Sequence, residues 1–355
     1  MIKRICQFMV LCASCAAFAQ AMPITVTIDA SQIRAPISKL IYGQFIEHIS
    51  GIINNGLWAE MLEDRKFFYP VAGTQETAGL PKGRRGPLRR WTPVGADEFI
   101  IMDKSRPYVG DQVVLVKLNG SEPRGLKQAG LAVRKGKFYT GRVVLAGGPQ
   151  TKVTVSLAWG DKASERHSVM VGKLNARYAT FPFRFQSQAD SDDAGLEIVG
   201  SGAGSLYVGA VSLMPSDNLH GFRPEVIAAL KQLRSGVYRF PGGNFVSAHE
   251  WRNAVGDPDK RPPILDPVWN AVQPNDVGTD EFMTLCRLLE VEPYITVNAG
   301  FGDAWSAAQL VEYANGAPTT PMGRWRAANG HPQPYGVKLW GIGNEVESEL
   351  GDSTM

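Results

Sequence analysis

Cysteine is almost missing from this chain. Of 355 residues four are Cys, and Cys6, Cys12 and Cys15 fall within the first fifteen, leaving Cys286 alone in the rest. One thiol excludes a disulfide framework, a cysteine-rich metal site and a redox pair from that remainder. The apolar helical spacing around Cys286 reads it as a small buried residue. Net charge is also scarce: 37 Lys plus Arg against 34 Asp plus Glu give a formal +3, too weak a field to recruit nucleic acid by electrostatics. The longest apolar run near the start, from about Ile5 to Phe18, is too short for a membrane span. What is present suits a folded protein. Hydrophobic residues make up 44% and charged residues 20%, so a sizeable core can be buried, and the length predicts about two domains.

Residues 1 to 21, MIKRICQFMVLCASCAAFAQA, place Lys3 and Arg4 before the apolar run and close on Ala19-Gln20-Ala21, a small-x-small cleavage pattern. They read as a signal peptide, with export to the periplasm or the exterior. Lipid attachment at Cys15 is the weaker alternative, because Cys12 stands where a lipoprotein leader prefers Leu. Removing 21 residues leaves 355 − 21 = 334 and lowers the formal charge from +3 to +1.

Beyond the leader, ITVTIDAS alternates as a strand and LIYGQFIEH reads as a second, more buried one. Asn55 to Phe68 has helix-compatible spacing at Leu57, Met61 and Leu62. PKGRRGPLRR, residues 81 to 90, reads as a solvated basic linker. From about Trp91 to Pro215 the pattern becomes seven short alternating runs, QVVLVKLN, GRVVLAG, TKVTVSLAWG, RHSVMVG, TFPFRFQ, GLEIVG and SLYVGAVSLMP, which predict an all-β sandwich. From residue 216 helices alternate with strands. A helix over Val226, Ile227, Leu230 and Leu233, with Pro224 in its first turn and Gly236 as its stop, leads to VYRF. A helix around Phe282, Leu285 and Leu289 leads to PYITVN, and one around Leu310 and Val311 leads through PMGRWRAANG to VKLWGIGNE. Three such units after LIYGQFIEH predict four parallel strands of an α/β barrel, with a doubly wound sheet as the alternative. No glycine-rich phosphate loop follows these strands, which removes the main support for nucleotide binding. The expected organisation is residues 22–90 as N-terminal and first barrel strands with a linker, 91–215 as an inserted sandwich, and 216–355 as the barrel's continuation.

Barrel chemistry collects at the carboxyl ends of strands. Those ends carry Glu47 and His48, then Arg239 and Asn244, then Asn298, then Asn344 and Glu345. An Asn-Glu pair arises roughly once by chance in a chain of this length, so context decides. GIGNE sets a carboxylate directly after a buried strand flanked by glycines, where it can enter a pocket. A dry site or Glu47 as neighbour would raise its pKa toward that of a general acid. Asn344 offers an amide to a sugar hydroxyl. Arg239 and Asn244 bracket FPGG, whose glycines let the backbone approach a ligand; pairing of Arg239 with a buried carboxylate and helix capping by Asn244 are the structural alternatives. HEWRN lacks the second His of a zinc motif, and no G-x-S-x-G elbow follows a strand.

LIYGQFIEH, GLWAEMLEDRKF, YRFPGGNFVS, PNDVGTDEFM and LWGIGNE, in this order, resemble the α-L-arabinofuranosidases of glycoside hydrolase family 51, from about Ile24 to Glu345 outside the β-rich insertion. The insertion resembles a carbohydrate-binding jelly roll, through its strand pattern and closing VSLMP. The resemblance implies a (β/α)8 barrel followed by a C-terminal β-sandwich, and retaining release of terminal arabinofuranose from arabinan or arabinoxylan. It makes Glu345 the general acid/base, seats Asn344 near the sugar 2-hydroxyl, and gives Glu47, Arg239 and Asn244 the glycone pocket. It implies no metal or organic cofactor, and arabinose-containing plant polysaccharides or oligosaccharides as partners, with a homo-oligomeric full-length form left open. A retaining enzyme needs two carboxylates roughly 5 to 5.5 Å apart. The family's nucleophile comes from a later strand, whereas this chain ends ten residues after Glu345. Glu347 and Glu349 lie in the loop after the acid/base, so the expectation is an N-terminal portion of the enzyme. Two other readings stay open: a non-hydrolytic exported carbohydrate-binding protein, with Trp159 as a stacking residue, and another retaining glycosidase such as a xylosidase.

Overall fold

The computed structural model describes residues 25–49, 51–73, 88–120 and 122–345. The leader, most of the basic linker, Glu347 and Glu349 lie outside them. The chain divides into two units, residues 1–38 and 39–355. In the first, residues 25–38 hold no helix or strand, and the exposed Asp29 carboxylate takes the Ser31 N–H, the Ser31 hydroxyl and the Gln32 amide. The strand expected over ITVTIDAS is therefore not formed there. Alternation creates a strand only where a neighbouring strand takes up its backbone groups.

In the second unit, β1 (Gly43–Phe45) begins a parallel sheet. Its three residues are exposed, as are Leu40, Ile41 and Tyr42. The buried strand expected in LIYGQFIEH is thus a short edge strand, with burial beginning at Ile46. The helix expected over Asn55 to Phe68 is also absent: one π-helical turn, Ile52–Leu57, precedes turns and extended chain. Local acids and distant carbonyls take the helix donors. Glu60 accepts from the Met61 and Leu62 N–H groups and Asp64 from those of Phe68 and Tyr69, while Ala59 and Met61 N–H donate to Gly221 and Leu213 oxygens.

Ten strands then form two antiparallel sheets: β2 (Thr92–Val94), β3 (Ile100–Asp103), β4 (Val113–Asn119), β5 (Arg124–Val133), β6 (Phe138–Gly147), β7 (Lys152–Ala158), β8 (Arg166–Met170), β9 (Ala179–Gln186), β10 (Ser191–Ser201) and β11 (Ala203–Pro215). Their orders are β2-β5-β10-β7-β8 and β3-β4-β11-β6-β9. All seven runs read from alternation are strands; β2, β3 and β5 are additional. Inward residues of both sheets, among them Leu126, Ile198, Val155, Val116, Val208 and Val143, share one buried core, which Leu62, Phe67 and Val71 join from the chain before them. Trp159 is partly buried against that core.

After helix Pro224–Gln232, strand β12 (Val237–Phe240) pairs with β1. A hairpin, β13 (Ile264–Asp266) and β14 (Ala271–Gln273), follows. Helix Thr279–Leu289 leads to β15 (Glu292–Val297), and helices Ala304–Asn315 and Pro321–Ala328 lead to β16 (Leu339–Ile342). The parallel order β1-β12-β15-β16 runs strictly forward along the chain. A doubly wound sheet reverses its order at a switch point, so the forward order among the described strands excludes that alternative. Tyr238, Phe240, Ile295 and Val297 pack with Ile227, Phe282, Leu285, Leu310 and Tyr313 from the helices in a second core, which also buries Cys286. Burial pushes the Cys286 thiol up to about 12, leaving it inert.

A buried ion network joins the two regions. Arg65 bonds Asp259 at 2.6 Å and Asp276 at 2.5 and 2.6 Å, while Arg142 of β6 reaches the same Asp259 at 2.6 Å. Burial works to raise the Asp276 carboxyl, but Arg65 and Lys66 outweigh it and hold the group below its ordinary range.

Candidate active site

The parallel strands deliver polar residues to one end of their sheet, and the glycines of FPGG decide how closely those residues meet. Glu47, two residues past β1, is 5% exposed. Its Oε1 accepts from the Phe245 N–H at 2.9 Å and from the Trp269 indole N–H at 3.0 Å. Gly242 has φ +120°, and a Cβ there would stand 2.2 Å from the Glu47 Cβ. At Gly243 an added Cβ would meet Glu47 Oε2 at 3.3 Å and Asn344 Nδ2 at 3.4 Å. The bare backbone of Gly243 therefore lies against both Glu47 and Asn344.

Asn344, two residues past β16, donates through Nδ2 to Asn244 Oδ1 at 2.8 Å and accepts at Oδ1 from Arg239 Nη2 at 3.2 Å. Arg239 lies with its guanidinium carbon 5.6 Å from the centre of the Phe45 ring. The three residues form one hydrogen-bonded chain, so the structure brings together Glu47, Arg239, Asn244 and Asn344. Of the structural alternatives, Asn244 is not a cap: Gly243 holds that position for the short helix Asn244–Ala248. Glu345 follows directly, with φ +43°, and is exposed. The dry surroundings expected for its carboxylate are not found among the described residues.

Asn298 is brought to the same end of the sheet but serves the backbone. Its Oδ1 accepts from Gly300 and Gly302 N–H, and its Nδ2 donates to the His249 carbonyl. His48 and His249 both pack against Phe245, at ring distances of 4.6 and 4.9 Å. Burial lowers His48 to about 4; burial, then the nearby His48, lowers His249 to about 3. Both rings are neutral packing for the residue whose N–H holds Glu47. Among the described residues no three His, Cys, Asp or Glu side chains gather as metal ligands.

Two residues of this site, Trp269 and Asp266, are missing from the sequence reading. The β13–β14 hairpin carries Trp269 to Glu47, and Asp266 shapes its turn by accepting from Val268 N at 3.3 Å and Trp269 N at 2.9 Å. Burial raises the Asp266 carboxyl to about 6. The signal was DPVWN, an Asp able to take the N–H groups after it beside a Pro. A buried carboxylate, two amides and a guanidinium on one wall offer donors and acceptors together, the set that sugar hydroxyls require.

Residues 229–353 match the family model described as the alpha-L-arabinofuranosidase 1 domain. Probable alpha-L-arabinofuranosidase C of Aspergillus clavatus is 43% identical over 132 residues, 37% of this chain and 26% of that protein. Intracellular exo-alpha-(1->5)-L-arabinofuranosidase 1 of Bacillus subtilis is 36% identical over 142 residues, 39% of this chain and 28% of its own. The chain thus spans about a quarter of the length of these curated relatives. The structure of arabinose-bound MgGH51 α-L-arabinofuranosidase superposes with a TM-score of 0.69 at 19% identity, covering 85% of this chain and 53% of its own, which shows a shared fold. By the domain match and these relatives, residues 229–353 are similar to alpha-L-arabinofuranosidases, and most of the chain shares the fold of that solved structure.

Proposed function

We propose that this chain carries the glycone wall and the acid/base of a retaining glycosidase that releases terminal α-L-arabinofuranosyl residues from arabinan or arabinoxylan. The observation that carries the reading is the contact of Gly243 with both Glu47 and Asn344, with Arg239 and Asn244 bonded to the Asn344 amide. In this reading β1, β12, β15 and β16 are the first four strands of a (β/α)8 barrel, and the two antiparallel sheets are an inserted jelly roll of the carbohydrate-binding kind. Glu47, Arg239 and Asn244 hold the furanose ring, Asn344 meets the hydroxyl beside the reacting carbon, and Glu345 protonates the leaving oxygen and then deprotonates the attacking water. The attacking carboxylate is not assigned to a residue of this chain. Export after removal of residues 1–21 belongs to the same proposal.

The test uses the natural mature protein from its producing cells. It should hydrolyse an aryl α-L-arabinofuranoside in preference to an aryl β-D-xylopyranoside; the opposite preference would refute the arabinofuranosidase assignment. Glu345→Ala should slow turnover of poorly activated substrates, with azide partly restoring turnover of the activated aryl glycoside. Unchanged activity without rescue would remove Glu345 from the mechanism.

A further inference from the structure

Among the runs singled out in the sequence, GLWAEMLEDRKF gives no residue to the glycone wall. Its Lys66 is 2% exposed, and the ammonium is spent on backbone. Nζ donates to the Pro258 oxygen at 2.7 Å, the Arg261 oxygen at 2.9 Å and the Pro274 oxygen at 2.5 Å, with Asp276 Oδ1 3.0 Å away. Those carbonyls flank one element. Pro258 and Arg261 precede the β13–β14 hairpin, which opens at Ile264, and Pro274 follows its last residue, Gln273. A buried ammonium is costly unless its N–H groups are answered, so three carbonyls on one Nζ tie both flanks to residue 66.

The hairpin needs an anchor of this kind. It has three residue pairs and, among the described residues, joins no other strand; a two-stranded ribbon is marginal by itself. Asn275 closes its base through the Pro262 oxygen at 2.7 Å, and Gln273 meets Asn54 at 3.0 Å and the His48 oxygen at 3.4 Å. Arg65 reaches the flanks through the Asp259 and Asp276 carboxylates, whereas Lys66 takes backbone oxygens on both sides. Trp269, in the turn, donates to Glu47 Oε1 at 3.0 Å. We propose that Lys66 is a positioning residue of the glycone wall, pinning both flanks of the β13–β14 hairpin so that Trp269 meets Glu47. The effect on sugar rests on Glu47 being part of the glycone pocket; the anchoring does not. Burial lowers the Lys66 ammonium to about 7, with Asp276 working against it and Arg65 and Arg261 with it. Of the charges around these, Asp259 pairs with Arg65 and Arg142, Glu281 pairs with Arg261, and Glu60 accepts from Ser212 and Leu213. Above pH 7 Nζ gives up a proton and leaves an acceptor unanswered, so the anchor weakens as pH rises. Asp64, raised to about 7, and Asp266, raised to about 6, titrate in the same range and are retained in every Lys66 variant.

Hydrogen–deuterium exchange of the full chain tests the anchor, and calorimetry with arabinose tests its consequence. In Lys66→Met, amides of residues 264–273 should exchange about tenfold faster, with those of β4 and β11 unchanged. Lys66→Gln, which keeps two N–H donors, should lie between Lys66→Met and the wild type. Arabinose affinity should fall about fivefold in Lys66→Met, and the double variant with Trp269→Phe should bind no more weakly than Trp269→Phe alone. Wild-type affinity should fall severalfold between pH 6 and pH 9, and Trp269→Phe should lack that fall; this arm needs no Lys66 variant to fold. Unchanged exchange in the hairpin overturns the proposal, as does exchange that rises equally in β4 and β11, which marks a merely structural lysine. Additive losses in the double variant, or a wild-type affinity flat from pH 6 to pH 9, overturn it as well. A hairpin that loosens in Lys66→Met while the wild type binds no arabinose refutes the glycone wall, and with it the role in sugar binding. Trp269→Phe weakening arabinose while Lys66→Met does not refutes Lys66 and leaves the glycone wall standing.

Discussion

Acidification should weaken this fold through His249, and the size of the effect follows from its burial. Its ring is packed against Phe245, 7% of the residue is exposed, and its pKa is lowered to about 3, first by burial and then by the neighbouring His48. In the unfolded chain the same group titrates near 6.5. The folded state therefore refuses a proton that the unfolded state accepts. The stability is whole above pH 6.5 and is lost as pH falls from there toward 3. At pH 5 the unfolded imidazole has gone about 1.5 pH units past its midpoint while the folded one is still neutral, which costs about 2 kcal/mol. The assay is urea unfolding of the wild type and His249→Phe at pH 8 and pH 5. At pH 8 the two should be close, because Phe keeps the ring contact and the His249 Nδ1 it removes has no hydrogen-bond partner. Between pH 8 and pH 5 the variant should gain about 2 kcal/mol on the wild type. Burial raises Asp64 to about 7 and Asp266 to about 6. Both therefore favour the folded state as pH falls, but they are present in both proteins and cancel in the difference. A relative shift below about 0.5 kcal/mol, the scatter of independent substitutions, would refute the reasoning.

Other consequences follow from single contacts. Gly243→Ala should push Glu47 and Asn344 apart, since the new Cβ would meet them at 3.3 and 3.4 Å; arabinose affinity, measured by calorimetry, should fall by about tenfold with the melting temperature nearly unchanged. Trp269→Phe deletes the 3.0 Å bond to Glu47 and should weaken arabinose binding by about 1 kcal/mol in the same assay. Arg65→Met leaves Asp259 with Arg142 alone and Asp276 with Lys66 alone, both carboxylates about 97–98% buried, and urea unfolding should report a loss of about 3 kcal/mol. Amino-terminal sequencing of the natural mature protein should begin at Met22; a start at Met1 would refute the leader.

Much of the molecule was decided by local pattern. Alternation in the seven β runs and apolar spacing around Val226, Phe282 and Leu310 prefigured those strands and helices, because a period of 2 or 3.6 is written in consecutive side chains. Residue types at strand ends were equally legible: FPGG and GIGNE marked Arg239, Asn244 and Asn344 before any contact was known. Local pattern failed where distant groups compete for the backbone. Met61 N–H donates to Leu213 and Ala59 N–H to Gly221, so an apparent helix became extended chain, while ITVTIDAS alternates without forming a ladder. Nothing in the neighbourhood of Trp269 announces that it will donate to Glu47, 222 positions earlier. Side-chain periodicity is a property of the chain alone, whereas a hydrogen bond between two loops exists only after the sheet has set their separation. Tertiary structure therefore decided the contact of Gly243 with Glu47 and Asn344, the neutral packing of His48 and His249, and the bonds from Lys66 to both flanks of the β13–β14 hairpin.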